Sequence, residues 1–186
     1  MLPVISTLTR CKNLETLDLS VNRITTLQPL ASCIHLQDLD LYGCEISDIQ
    51  ALASCTDLRV LNLLGCQGIS DIQPLASCSR LQVLNLEDCK KITNIQPLAS
   101  CIDLRSLSLA CCNQIPSLQP LASCIHLQFL NLENAFASTN VKPLASCIHL
   151  QRLLLCSTIN VSKKQRANLN KALPGLRIIR AEDKWG

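Results

Sequence analysis

Apolar residues return along this chain with a fixed beat. A frame of Leu-x-x-Leu-x-Leu occurs as Leu14/Leu17/Leu19, Leu36/Leu39/Leu41, Leu58/Leu61/Leu63, Leu81/Leu84/Leu86, Leu104/Leu107/Leu109, Leu127/Leu130/Leu132 and Leu150/Leu153/Leu155. Successive frames are 22, 22, 23, 23, 23 and 23 residues apart. Within each frame the Leu-x-Leu pair alternates, as a short strand with one buried face should. One such strand cannot bury its own leucines, so the copies must stack in parallel and share a core. Three residues past each frame stands a second column: Asn22, Cys44, Cys66, Cys89, Cys112, Ala135 and Thr158. The connecting stretch is close to verbatim, since Pro29 to Gln37 recurs letter for letter at Pro120 to Gln128 and Pro143 to Gln151. Proline at its head suits the first turn of a helix, where an N–H is not needed. Its shortness predicts one or two turns, partly 3-10, on the side opposite the strands.

The combined pattern, Leu-x-x-Leu-x-Leu-x-x-(Asn/Cys)-x-Ile followed by Ile-x-x-Leu-x-Pro-Leu, resembles the signature of leucine-rich repeat proteins across residues 8–155. The repeat length is similar to the short class of internalins and phosphatase regulatory subunits. Cysteine at the asparagine position resembles the class typified by F-box proteins, whose repeats are longer. The resemblance implies an α/β fold: a right-handed solenoid with a parallel sheet on its concave face and short helical or 3-10 turns on its convex face. It also implies protein recognition, and it carries no catalytic residue over.

The repeats are expected over residues 1–160 and a C-terminal cap over 161–186. Leu2, Ile5 and Leu8 match Ile24, Leu27 and Leu30, so the chain opens inside a repeat with no polar cap. The first strand then presents an open edge, which suggests a homodimer through this end or a preceding segment. In the sixth repeat Ser138 stands where isoleucine belongs, and Phe136 is placed to fill the gap. From Ser162 to Leu173 the pattern becomes that of an amphipathic helix, with Ser162 as N-cap and Ala167, Leu169, Ala172 and Leu173 available to pack. Pro174-Gly175 stops it, Leu176 to Ile179 reads as a last strand, and Trp185 is placed to fold back on the final repeat.

Composition adds less. Aromatic residues are 2% of the chain, so the core is aliphatic plus cysteine. Of the thirteen cysteines, Cys11, Cys33, Cys55, Cys78, Cys101, Cys124 and Cys147 fall three before a frame and four more occupy the second column. Such periodicity points to buried small hydrophobes, and no zinc-type Cys-x-x-Cys pair occurs. A free-thiol core and an N-terminus without a basic n-region favour the cytoplasm. Residues 161–186 hold seven Lys/Arg against two acids, but a basic cap helix reads as a solvated face, so no nucleic acid or membrane partner is expected. The column Asn13, His35, Asp57, Arg80, Asp103, His126, His149 predicts a charge ladder centred on Asp57–Arg80–Asp103.

Between the inward leucines, three outward columns face the concavity. Their residues Val60, Leu64, Val83 and Phe129, with Tyr42, predict an apolar patch; Asp38, Asp40, Glu87 and Glu133 make its rim acidic, and Arg152 closes the row. The expected partner is a basic protein or peptide. No phosphate loop, nucleophile elbow or helical metal pair is present, so neither catalysis, nor a metal, nor a cofactor is expected. The reading is a protein-interaction module or scaffold. The alternatives are a regulatory or targeting subunit of an enzyme such as a phosphatase, and a secreted effector of the internalin kind.

Overall fold

The computed structural model describes residues 3–135, 140–156 and 161–180. Eight strands form one parallel sheet in chain order: β1 (Thr16–Asp18), β2 (Asp38–Asp40), β3 (Val60–Asn62), β4 (Val83–Asn85), β5 (Ser106–Ser108), β6 (Phe129–Leu132), β7 (Arg152–Leu155) and β8 (Arg177–Arg180). The register never slips: Leu17, Leu39, Leu61, Leu84, Leu107, Leu130, Leu153 and Ile178 lie side by side. A slip of one residue would turn every leucine outward, so the frame itself enforces the pairing. This is the right-handed solenoid expected, as parallel crossovers require.

The convex side consists of five-residue 3-10 turns at Gln28–Ser32, Gln50–Ser54, Gln73–Ser77, Gln96–Ser100, Gln119–Ser123 and Lys142–Ser146. A side-chain oxygen two residues upstream accepts the first N–H of each, from Thr26, Asp48, Asp71, Asn94, Ser117 and Asn140, at 2.7–3.3 Å. Short polar side chains favour such local bonds. Each turn ends on the first-column cysteine at φ −80 to −91° and ψ 60 to 70°, the inverse γ conformation that redirects the chain toward the next strand.

Cysteine joins one repeat to the previous one. In the second column the thiols of Cys44, Cys66, Cys89 and Cys112 donate to the carbonyls of Leu19, Leu41, Leu63 and Leu86 at 3.0–3.2 Å. In the first column Cys33, Cys55, Cys78, Cys101, Cys124 and Cys147 reach Leu8, Leu30, Leu52, Leu75, Leu98 and Leu121 at 3.3–3.7 Å. Each bond is weak, but each also satisfies a carbonyl lone pair inside the core. Asn22, the one asparagine of the second column, bonds instead within its own repeat, to the carbonyls of Leu19 and Ser20. Burial pushes these thiols up, Cys55 and Cys101 to about 12 and Cys66 and Cys78 to about 11, so they stay protonated and unreactive near neutrality. Cys11 departs from the expectation for its column. It is exposed, whereas the later members are fully buried, each packed beneath the repeat before it.

Each of the first six repeats leaves its strand through one left-handed residue: Val21, Gly43, Gly65, Asp88, Cys111 and Asn134, at φ 54 to 75°. The N–H groups of the first five donate to Tyr42, Leu64, Glu87, Ala110 and Glu133 of the next repeat, extending the ladder past the strand. Gly68 serves another purpose. It is the extra residue that begins the 23-residue spacing, and a Cβ there would lie 2.5 Å from the Ile46 carbonyl oxygen of the shorter repeat before it.

The ends differ. At the N-terminus a single helical turn, α1 (Pro3–Ser6), leads into a 3-10 turn, Thr7–Arg10, and Leu8, Leu14 and Leu17 are only partly covered. At the C-terminus α2 (Lys163–Ala172) starts with a capping box between Ser162 and Gln165. It buries Leu169 and Leu173, while Ala167 and Ala172, also expected to pack, remain exposed because the helix meets the last 3-10 turn along one narrow line. The expectations for Phe136, Ser138, Thr158 and Trp185 fall outside the described residues.

Candidate protein-binding face

Strand pairing sets the geometry of the concave face. The first outward column runs Thr16, Asp38, Val60, Val83, Ser106, Phe129, Arg152, Arg177, each residue directly beside the next. Val60 and Val83 are therefore immediate neighbours, half-buried and 38% exposed respectively. Phe129 lies two strands further on, beyond Ser106, and the Arg152 guanidinium sits 4.9 Å above its ring centroid. This cation–π contact covers part of the ring and fixes the arginine over the sheet.

The middle column serves the fold itself. Asp18, Asp40, Asn62, Asn85 and Asn131 each accept the backbone N–H two residues ahead, at 2.8–3.1 Å, closing the turn out of the strand. Bonds from the Ser20 side chain and backbone hold the Asp18 carboxyl below its ordinary value. Asp40 also receives both bonds of the Asn62 amide, at 3.0 and 3.1 Å, so its acceptors are committed to neighbours. In the third column Tyr42 is 43% exposed and Leu64 half-buried. Glu87 accepts a long bond from the Ser108 hydroxyl at 3.5 Å, and Glu133 is half-buried.

The ten residues expected to bind thus fall into separate groups. Val60 with Val83 and Phe129 with Arg152 make two small clusters in the first column, separated by Ser106, and Tyr42 with Leu64 makes a third across the polar middle column. Asp38 stands beside Thr16 near one end of the first column, Asp40 belongs to the hydrogen-bonded middle column, and Glu87 and Glu133 line the far rim.

The edge column behaves differently from expectation. Asp57 pairs with Arg80 at 2.5 Å and with His35 at 3.3 Å, so the ladder runs His35–Asp57–Arg80 instead of reaching Asp103. His126 and His149 stack ring on ring, 5.7 Å apart. Among the described residues no group of three or more His, Cys, Asp or Glu is placed to hold a metal ion. One apolar feature escaped the leucine pattern. Ile102, Ile125 and Ile148, each directly after a first-column cysteine, form an edge stripe 54, 43 and 65% exposed. The invariant Cys-Ile step in those three repeats was its only sequence signal.

Three overlapping matches to the family model for leucine rich repeats (2 copies) cover residues 12–54, 34–77 and 56–100. No curated protein matches the chain significantly. Among solved structures the chain is similar to internalin C2 of Listeria monocytogenes, with TM-score 0.83 and 33% identity over 94% of this chain and 74% of that one. It is also similar to the internalin inlF of that organism, with TM-score 0.73 and 27% identity over 87% of this chain, and it spans 52% of that longer chain. The functional domain of InlJ, again from Listeria monocytogenes and described as including a cysteine ladder, shares the fold at 17% identity and TM-score 0.56, over 83% of this chain and 39% of its own.

Proposed function

Since the chain belongs to the leucine-rich repeat proteins, whose fold is a non-catalytic module for protein interaction, we propose that it binds a protein or peptide partner on the concave face of its sheet. The observation that carries this reading is the pair Val60–Val83 with Phe129 close by, apolar side chains left half open beside a middle column of hydrogen-bonded polar groups. Single apolar residues on a sheet are ordinary; three in one column, with only the Arg152 side chain over part of Phe129 among the described residues, are a better fit to an anchor site. The test is capture from source-cell lysate with the native chain and with the Val83→Asp, Phe129→Asp double variant. Both side chains lie outside the core, so the variant should fold as the native chain does. A protein held only by the native chain is the expected result, and equal capture by both overturns the assignment of the face.

We further propose the cytoplasm as the compartment, since the ladder cysteines are free thiols packed in the core. Thiol titration of native material yielding oxidised ladder cysteines would overturn this. The outer edge of β1, which among the described residues pairs with β2 alone, is proposed as a self-association surface. A monomer in sedimentation at high concentration removes it. The likeness to internalin C2 favours a second reading, an internalin-like effector; recovery of the protein outside its source cells would support it over the cytoplasmic role.

A further inference from the structure

From the order of charge along the first outward column, we propose that the partner segment is an amphipathic α-helix laid across the strands. Its basic end lies over β2 and its acidic end over β7 and β8. This rests on the concave-face reading above. After Thr16 the column passes from Asp38 through Val60, Val83 and Ser106 to Phe129, then to Arg152 and Arg177, in unbroken register. It is therefore acidic at one end, apolar in the middle and basic at the other. Strands in a sheet are spaced about 4.8 Å apart, so Asp38 and Arg152, five strands apart, are separated by about 24 Å. A helix covers that distance in about 16 residues.

The spacing selects a helix over an extended segment. One helical turn advances about 5.4 Å, close to the strand spacing, so each turn presents one side chain to each strand. An extended chain advances about 6.6 Å for two residues and falls out of step within three strands. A helix is also about 10 Å wide. It therefore covers the first and middle columns, and it leaves Glu87 and Glu133, about 13 Å along the strands from the first column, at its flank. Direction follows from the same charges. The positive N-terminal end of a helix dipole is favoured over Asp38, and the negative C-terminal end over the two arginines.

Three helix-stapled peptides of 18 residues test the proposal, each with a leucine in every turn. One carries two lysines in the first turn and two glutamates in the last; the second carries lysine at both ends and the third glutamate at both. By fluorescence anisotropy at low salt the mixed peptide should bind about tenfold tighter than either uniform one, as complementary rim charges allow. In the Arg152→Glu, Arg177→Glu variant the preference should pass to the all-lysine peptide, and in Asp38→Lys to the all-glutamate peptide. A change of preference cannot come from misfolding. Equal binding of all three, abolished by Val83→Asp, overturns the charge order and leaves the face assignment intact. No binding by any peptide overturns the helical occupant, and the capture experiment then decides the face on its own.

Discussion

Two glycines of a single turn, Gly65 and Gly68, should fail for different physical reasons when replaced. Gly65 has φ +75°, and a Cβ there would meet nothing closer than the Gly43 Cα at 3.8 Å. Alanine fits the space but not the backbone. The left-handed conformation costs a non-glycine residue about 1–2 kcal/mol, and the lower entropy of the unfolded alanine chain returns about 0.5–1 kcal/mol. The net loss is about 1 kcal/mol. At Gly68 the backbone is ordinary, but the new Cβ would stand 2.5 Å from the Ile46 carbonyl oxygen, about 0.9 Å inside the 3.4 Å of normal contact. That oxygen is main chain and cannot swing aside, so the overpacking cost falls near the upper end of its usual range, about 3 kcal/mol. With a urea m-value of about 2 kcal/mol/M, the midpoint should fall by about 0.5 M for Gly65→Ala and about 1.5 M for Gly68→Ala. Asparagine separates the mechanisms. It tolerates the left-handed region, as Asn134 does in the same column, so Gly65→Asn should lie close to the native midpoint while Gly68→Asn should be at least as damaging as alanine. A neutral Gly68→Ala, or a Gly65→Asn as harmful as Gly65→Ala, would refute the reasoning.

Further consequences can be checked on the same protein. Burial raises Cys55, Cys101, Cys112 and Cys147 to about 12 and Cys66, Cys78 and Cys124 to about 11, against 9.0 for the free thiol. Above pH 9 the unfolded chain therefore holds fewer protons than the folded one, so stability should be intact below pH 9 and drop steeply toward pH 11; a flat urea midpoint from pH 8 to 10.5 would contradict this. Cys89→Ala removes a fully buried sulfur and its bond to the Leu63 carbonyl, and should cost about 2 kcal/mol in denaturant unfolding. A thiol reagent at neutral pH should label exposed Cys11 in the native state and reach the buried columns only after denaturant is added; prompt native labelling of Cys89 or Cys101 would contradict their burial. Ser162→Ala breaks the capping box and should cost about 1 kcal/mol, seen as faster amide exchange confined to α2.

Much of the fold was legible because the repeat is periodic and its core contacts join equivalent positions. Leu39 meets Leu61 for the same reason that Leu84 meets Leu107. What escaped depended on backbone conformation or on a neighbour. The left-handed column mixes valine, glycine, aspartate, cysteine and asparagine, so residue type hides a shared dihedral angle. The middle outward column reads as surface polarity in the sequence, yet Asp40 and Asn62 are turn acceptors bonded to each other. Cys11 carries the right letter for a core position and is exposed, because burial belongs to a pair of repeats and not to the residue type. The layout of the outward apolar residues was not legible either, because same-face residues four apart, such as Val60 and Leu64, lie about 13 Å from each other along the strand.

The unequal ends give the molecule a mechanical polarity. Under tension between its termini the chain should yield first where Leu8, Leu14 and Leu17 are only half covered, while the capped helix with Leu169 and Leu173 holds the other end closed. Each repeat that peels away exposes an end face like the last, so the unravelling should proceed as a series of near-equal steps. With 22 or 23 residues per repeat, every step releases about 80 Å of extended chain. The thiol bonds across the joints, paired at the first four and single at the two that follow, would break joint by joint, so the solenoid should release length from one end at an almost constant force.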